Sequence, residues 1–460
     1  MVNNPYVEQL SPLDIVMPRT YIRVLLVFLP TEWIPALTQK LQRGIDTLSK
    51  QLPWLSGQVV STTKSQGRLS LGIRYDPSNT PTLIDKRSVT LSYETLSSRG
   101  MPVEDLPPDV WPVPDFVDDA LFTRGAPVFA ASLFRFSDRA VGLCICAHHN
   151  AVDATGFSEV VRLWARNVAT PKSVFSGVSH GRIDRLSGAL LSDLQKASSL
   201  QEDNLMALHP EFSTAPPAMP EEFSKCTSRL FSISMHWINV LKELLVKNMP
   251  DPPTTNTLVY ALVWTAITRV RMQHNPTLRK EASGLVTAVN GRRRIGESFS
   301  PAPNSYFGNV VLYSLTKLPA GVLATSDQDP VRSLATICEL ISGAYSVSKV
   351  NSGHIAEVYD LVDRLEDYRS LFVGWDLFQS RDLTITSWAD LDLYDANFGA
   401  SMGRPRYVRF PYMEADGVAI IMPRQRAARN EVLEIMIMLR RDHMALFEND
   451  SMWQTLCSME

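Results

Sequence analysis

Residues 24–29 are apolar without interruption, the pattern of a strand buried on both faces. Beyond Pro30 the spacing changes: Ile34, Leu37, Leu41, Ile45 and Leu48 recur every three or four residues, which predicts an amphipathic helix from Glu32 that Pro53 ends. Strands are expected again at 57–60, 128–134 and 141–147. The last runs into a turn of small residues, after which Phe157, Val160, Val161 and Trp164 mark a second helix. From 170 to about 225 serine, proline, glycine and charged residues dominate, broken only by an amphipathic patch at 186–194, so a partly helical and poorly ordered linker is expected. Alternation resumes at 229–235, a helical pattern follows at 237–247, and Thr254, Thr255 and Thr257 precede Leu258, Ala261, Leu262 and Trp264 as a hydroxyl-rich helix start. The chain finishes with an apolar strand at 433–439 and a helix at 440–449.

Strand, helix and strand thus recur in both halves, and 460 residues exceed one ordinary core. Two mixed α/β (α+β) domains are expected: 1–175, a crossover at 176–226, and 227–460. With 45 basic and 48 acidic residues the net charge is −3, which does not suggest a nucleic-acid partner. Residues 21–30 are too short to span a membrane, and the N-terminus lacks the pattern of a secretory signal, so a cytoplasmic monomer with no membrane partner is the expectation. Five scattered cysteines argue against a disulfide framework. Cys144 and Cys146 share one strand face, and no second cysteine pair completes a metal set, so no metal site is expected.

Four local patterns carry candidate chemistry. His149, at a strand end, is followed four positions later by Asp153, an arrangement suited to a general base with a carboxylate that fixes the local backbone. A buried, hydrogen-bonded histidine is the plainer reading. Asn290-Gly291-Arg292-Arg293-Arg294 precedes Tyr306-Phe307-Gly308-Asn309; these arginines are either a solvated loop or the source of a partner for Asp153. Thr384-Ile385-Thr386-Ser387-Trp388 ends in hydroxyls and an indole N–H, either oxyanion donors or an ordinary strand end with its tryptophan in the core. Finally, Tyr394-Asp395-Ala396-Asn397-Phe398-Gly399, continuing to Gly403 and Pro405, is a shaped turn.

In this order, with Leu10-Ser11-Pro12-Leu13-Asp14 at the start and Asp416-Gly417 near the end, the four resemble the BAHD acyl-CoA-dependent acyltransferases along nearly the whole chain. The fungal trichothecene-acetylating branch is the nearer match. The resemblance implies two chloramphenicol-acetyltransferase-like domains flanking a channel. It makes His149 the general base and Asp153 structural, paired with Arg292 or, as second choice, Arg294. Thr386 and Trp388 would line the oxyanion site, Asn397 and Gly399 would shape the late loop, and Thr255 and Ser387 would face coenzyme A. Acyl-CoA, with acetyl preferred, is then a co-substrate; no bound cofactor is implied, and the acceptor is a hydroxyl of a specialised metabolite. The chain departs from the family pattern at Ala154 for glycine, Asn290 and Asn397 for aspartate, and Ala400 for tryptophan. A condensation-type enzyme fed by a carrier protein shares the His-His-x-x-x-Asp signature, and a non-catalytic protein of the same fold is a further alternative.

Overall fold

The computed structural model describes residues 5–31, 34–64, 67–171, 181–301, 304–324, 329–426 and 431–458. The apolar run near the N-terminus becomes the strand Tyr21–Phe28, every residue of it buried. It pairs antiparallel with Val141–His148, which in turn pairs with Phe129–Arg135. With Ile84–Ser88 at one edge and Tyr407–Arg409 at the other, these strands make a five-stranded sheet. A six-stranded sheet forms the second half, in the order Cys226–Ser234, Val432–Arg440, Val418–Ile421, Leu383–Ser387, Ala282–Asn290 and Val311–Pro319. A smaller four-stranded sheet flanks the first half. The helix Ile34–Gln51 buries Leu37, Leu41, Ile45 and Leu48 in the first core, and Thr255–His274, buried along most of its length, fills the second. No helix among the described residues is long and apolar enough to cross a membrane.

Tyr407–Arg409 lies far along the chain, yet it pairs with Tyr21–Phe28 of the first sheet. The division of the chain at 227 is therefore crossed by a late segment. Arg409 makes the crossing specific: its buried guanidinium donates to the Gly100 and Met101 carbonyls at 2.7 and 3.1 Å and grips the Glu434 carboxylate at 2.8 and 2.9 Å. The preceding loop docks on the first half as well, where Phe398 meets Phe28 and Trp164 edge-on at 5.4 and 5.7 Å. Asn397 Oδ1 accepts from the Gly399 N–H at 2.9 Å, and Gly399 has φ +86°, a left-handed angle that a side chain strains to adopt. Asn397 thus caps the turn, and an exposed Arg404–Asp395 pair at 3.3 Å supplies an ion pair in the same loop.

The connecting segment is partly helical, as its amphipathic patch predicts, and its helices are packed. Residues 172–180 lie outside the described part, but Arg182–Ala189, Leu191–Ala197 and Glu202–Leu208 are helices that bury Leu186, Leu190, Ala197 and Leu205. Its composition reads as linker because each helix is short and buries a single narrow stripe. Arg182, itself buried, lies 4.6 Å over the Trp54 ring, pairs with Glu8 and donates to the Ala151 carbonyl, tying the segment to the turn after His149.

Replacing Phe398 with alanine should lower the unfolding free energy by about 3–5 kcal/mol, the usual cost of deleting a buried phenylalanine. A urea midpoint within error of the unsubstituted chain would show that the loop does not anchor the two halves.

Candidate active site

The Val141–His148 strand delivers His149 to its carboxyl end. The backbone there is fixed from both sides: His149 N–H donates to the Thr20 carbonyl at 2.8 Å, and its own carbonyl accepts from Asn309 Nδ2 at 2.8 Å. The imidazole is half-buried. Burial pushes its pKa below the ordinary 6.5, against the opposing pull of its own backbone, Asp153, the Asn309 amide and Asp14. His148 is fully buried, edge-on to Tyr21 at 5.3 Å, and burial, His149 and Arg19 push it down to about 3. Cys144 and Cys146 are buried on the same strand, and burial raises both thiols far above their ordinary range, which removes them as nucleophiles.

Asp153 caps the helix Ala154–Ala169 through the Gly156 N–H at 2.9 Å. Its partner is Arg292, in a two-pronged pair at 2.7 and 2.9 Å, and Val310 N–H adds a donor at 3.0 Å. Arg292 spends its remaining donors on the Tyr306 and Gly308 carbonyls and on Asn290 Oδ1. Both charges are almost completely buried and fully hydrogen-bonded, so neither is free for proton transfer. Arg294, the second choice, donates to the Tyr345 carbonyl at 2.9 Å. Asn290 earns its place by accepting from Arg292 and donating to Thr155 Oγ1 at 3.0 Å.

Ala154 begins the helix and has no positive φ, so glycine is not needed there. It is needed at Gly156, where a Cβ would come within 2.2 Å of the Phe307 carbonyl oxygen. A second clasp escaped the sequence reading. Asp14, fully buried, receives the Asn309 N–H at 2.7 Å and Asn309 Nδ2 at 2.9 Å, and Ser11 caps it in return. One asparagine therefore joins the N-terminal Ser11–Asp14 segment to the His149 carbonyl. Both segments were visible as motifs, but a contact across nearly three hundred residues leaves no local signal.

A cavity of about 840 Å³ opens where the two halves meet. Asp153, Thr155, Asn256, Asn290, Thr386 and Ser387 line it, with Arg162, Arg293 and Arg426 set against Glu159, Asp390 and Asp392. His149 is not among its lining residues, and neither are Trp388, Thr255, Asn397 and Gly399. Ser387 Oγ donates to Asn256 Oδ1 at 3.1 Å, joining the Leu383–Ser387 strand to the first turn of the helix that Thr255 opens. Trp388 is buried between Phe157 and Phe410, at 6.0 and 4.9 Å, as part of the packed wall that joins the halves.

The Transferase family profile matches residues 116–453. The chain belongs to this family, the BAHD acyltransferases. A trichothecene 3-O-acetyltransferase-like N-terminal domain matches residues 21–167 of this acyltransferase. The chain is 27% identical to the trichothecene 8-O-acetyltransferase of Fusarium sporotrichioides over 96% of each sequence, and 26% identical to the O-acetyltransferase ptmV of Penicillium ochrochloron over 96% of the chain and 95% of that protein. In fold it resembles F. sporotrichioides TRI101 complexed with coenzyme A and T-2, with TM-score 0.77, 19% identity and coverage of 98% and 99% of the two chains. Vinorine synthase is also similar, at TM-score 0.65 and 16% identity over 98% and 93%. The BAHD acyltransferase keeps the two-domain α/β architecture of these neighbours.

Asp153→Ala should lower the unfolding free energy by about 3–5 kcal/mol, because it strands a buried guanidinium. Unchanged urea unfolding together with lost activity would instead give Asp153 a direct chemical role.

Proposed function

We propose that this acyltransferase moves an acetyl group from acetyl-CoA to a hydroxyl of a specialised metabolite, with His149 as general base. The observation that carries the reading is the placement of His149: a half-buried imidazole at a strand end, its backbone held by Thr20 and Asn309, beside a carboxylate already consumed by Arg292. A base must be neutral before it acts, and burial favours the neutral ring. The acceptor oxygen attacks the thioester carbonyl as its proton passes to His149, and the imidazolium then protonates the departing thiolate. The two substrates react directly, and the buried cysteines offer no nucleophile for an acyl-enzyme.

The 840 Å³ cavity supports the placement of coenzyme A, because Asn256, Ser387 and Arg293 present polar and cationic groups to a ligand rich in phosphate. Thr255, although not among the lining residues, opens the same helix as Asn256, and the helix N-terminus favours an anion there. Thr386, which lines the cavity, is the oxyanion donor in this reading, and Trp388 positions its strand by packing. Asn397 and Gly399 act at a distance through loop shape. The acetyl donor and the terpenoid-like alcohol acceptor follow the relatives named as trichothecene and eremophilane O-acetyltransferases. The reading makes the protein a cytoplasmic monomer that needs no bound cofactor.

His149→Ala should cut turnover by roughly 100-fold or more, measured as thiol release from acetyl-CoA with a sesquiterpenoid alcohol as acceptor. Near-normal release by that variant would remove His149 as the base. Release only from an acyl-loaded carrier protein, and not from acetyl-CoA, would replace the donor.

The acid limb of kcat/KM should fall below the ordinary histidine value of 6.5, since a depressed pKa keeps the ring neutral to lower pH. A limb above 6.5 contradicts the burial argument.

A further inference from the structure

We propose that His209, Glu211 and His354 form a zinc site that fastens the connecting segment to the second half. One ligand atom from each lies within 4.8 Å of the others. His209 Nδ1 stands 3.0 Å from Glu211 Oε1, and His354 Nε2 stands 3.4 Å from that same oxygen. Zinc ligands at about 2.0–2.1 Å in a tetrahedron are separated by roughly 3.3 Å, so both separations from the Glu211 oxygen are close to the spacing that the ion imposes. Water completes such a set. Glu357 Oε2 lies 3.3 Å from His209 Nε2, the position of the outer carboxylate that orients a metal-bound imidazole.

Charge gives the physical motive. His209 and Glu211 are only 0% and 4% exposed, and the ion-pair partners of Glu211 among the described residues are these two imidazoles. His354 Nε2 is buried without a hydrogen-bond partner. A buried carboxylate calls for balancing positive charge, and a dication supplies it. His274, Asp442 and His443 form a looser second group, but His274 is exposed and Asp442 is already paired with Arg440 at 2.9 Å.

The location gives the ion a task. His209 and Glu211 immediately precede the strand Phe212–Ser213, and His354 and Glu357 lie three positions apart on the helix Ser352–Arg364. Ile355, Val358 and Tyr359 of that helix pack with Leu13, Tyr306 and Val310, the apolar cluster beside the Asp153–Arg292 wall. Zinc would therefore brace the wall from behind, away from the acetyl-transfer chemistry. The sequence reading assigned no metal because it found no second cysteine pair to join Cys144 and Cys146, and these three ligands come from segments far apart in the chain.

Metal analysis of the full-length chain, purified from zinc-supplemented cells, tests this. The expected result is about one zinc per chain, with a melting temperature that falls by several degrees on chelation and recovers with zinc chloride but not magnesium chloride. His354→Ala and Glu211→Gln should each lose the ion and the chelator response, and His274→Ala should keep both. Folded wild-type protein without zinc, or with melting indifferent to chelator, overturns the site. So does retention of a full equivalent by His354→Ala, or its loss from His274→Ala. If His354→Ala does not fold, the wild-type chelation and recovery still decide.

Discussion

Two opposite charges taken wholly out of water hold the halves of this acyltransferase in register. Asp153 caps the helix that follows the Val141–His148 strand, and Arg292 belongs to the turn after a strand of the other sheet. Neither is tolerable alone in that position, so the halves close only when the guanidinium reaches the carboxylate and the carbonyls of Tyr306 and Gly308 surround it. The pair contributes chiefly to specificity of arrangement, since its desolvation offsets much of its attraction. A carboxylate with every acceptor position filled is an anchor, which supports the proposal that the imidazole of the His-x-x-x-Asp signature takes the proton.

Around that anchor a second layer of polar contacts fixes the histidine itself. Asn309 reads Asp14 with one set of donors and the His149 carbonyl with another, so three distant segments meet at one side chain. Gly156 allows the Phe307 carbonyl to lie against the helix at a distance that a methyl group forbids. These contacts are rigid because they are short, buried and made to backbone groups. They do not depend on the identity of the acceptor alcohol, which fits a scaffold that serves relatives named for different substrates.

Local physics made some of this legible in the sequence. The strands at Tyr21–Phe28 and Val141–His148 and the helix Ile34–Gln51 declare themselves by periodicity, and the ordered motifs, through their family resemblance, narrowed the partner of Asp153 to Arg292 or Arg294. What failed to show was non-local. A three-residue strand such as Tyr407–Arg409 carries too few positions for an alternation, and its pairing with Tyr21–Phe28 is fixed by Arg409 and Phe398 docking elsewhere. The connecting helices each bury at most one leucine, below what composition separates from a linker. Trp388 showed the limit of reading chemistry from residue type, because its indole packs between Phe157 and Phe410 in a wall.

The late strand that completes the first sheet has a bearing on biosynthesis. During translation Tyr21–Phe28 emerges early and finds Val141–His148, but its other edge waits until most of the polypeptide has left the ribosome. Through that interval a largely apolar strand offers unpaired amide and carbonyl groups to any neighbouring nascent chain. A chain that stopped before residue 407 would lack that pairing, so the first sheet is complete only with a strand from the second half.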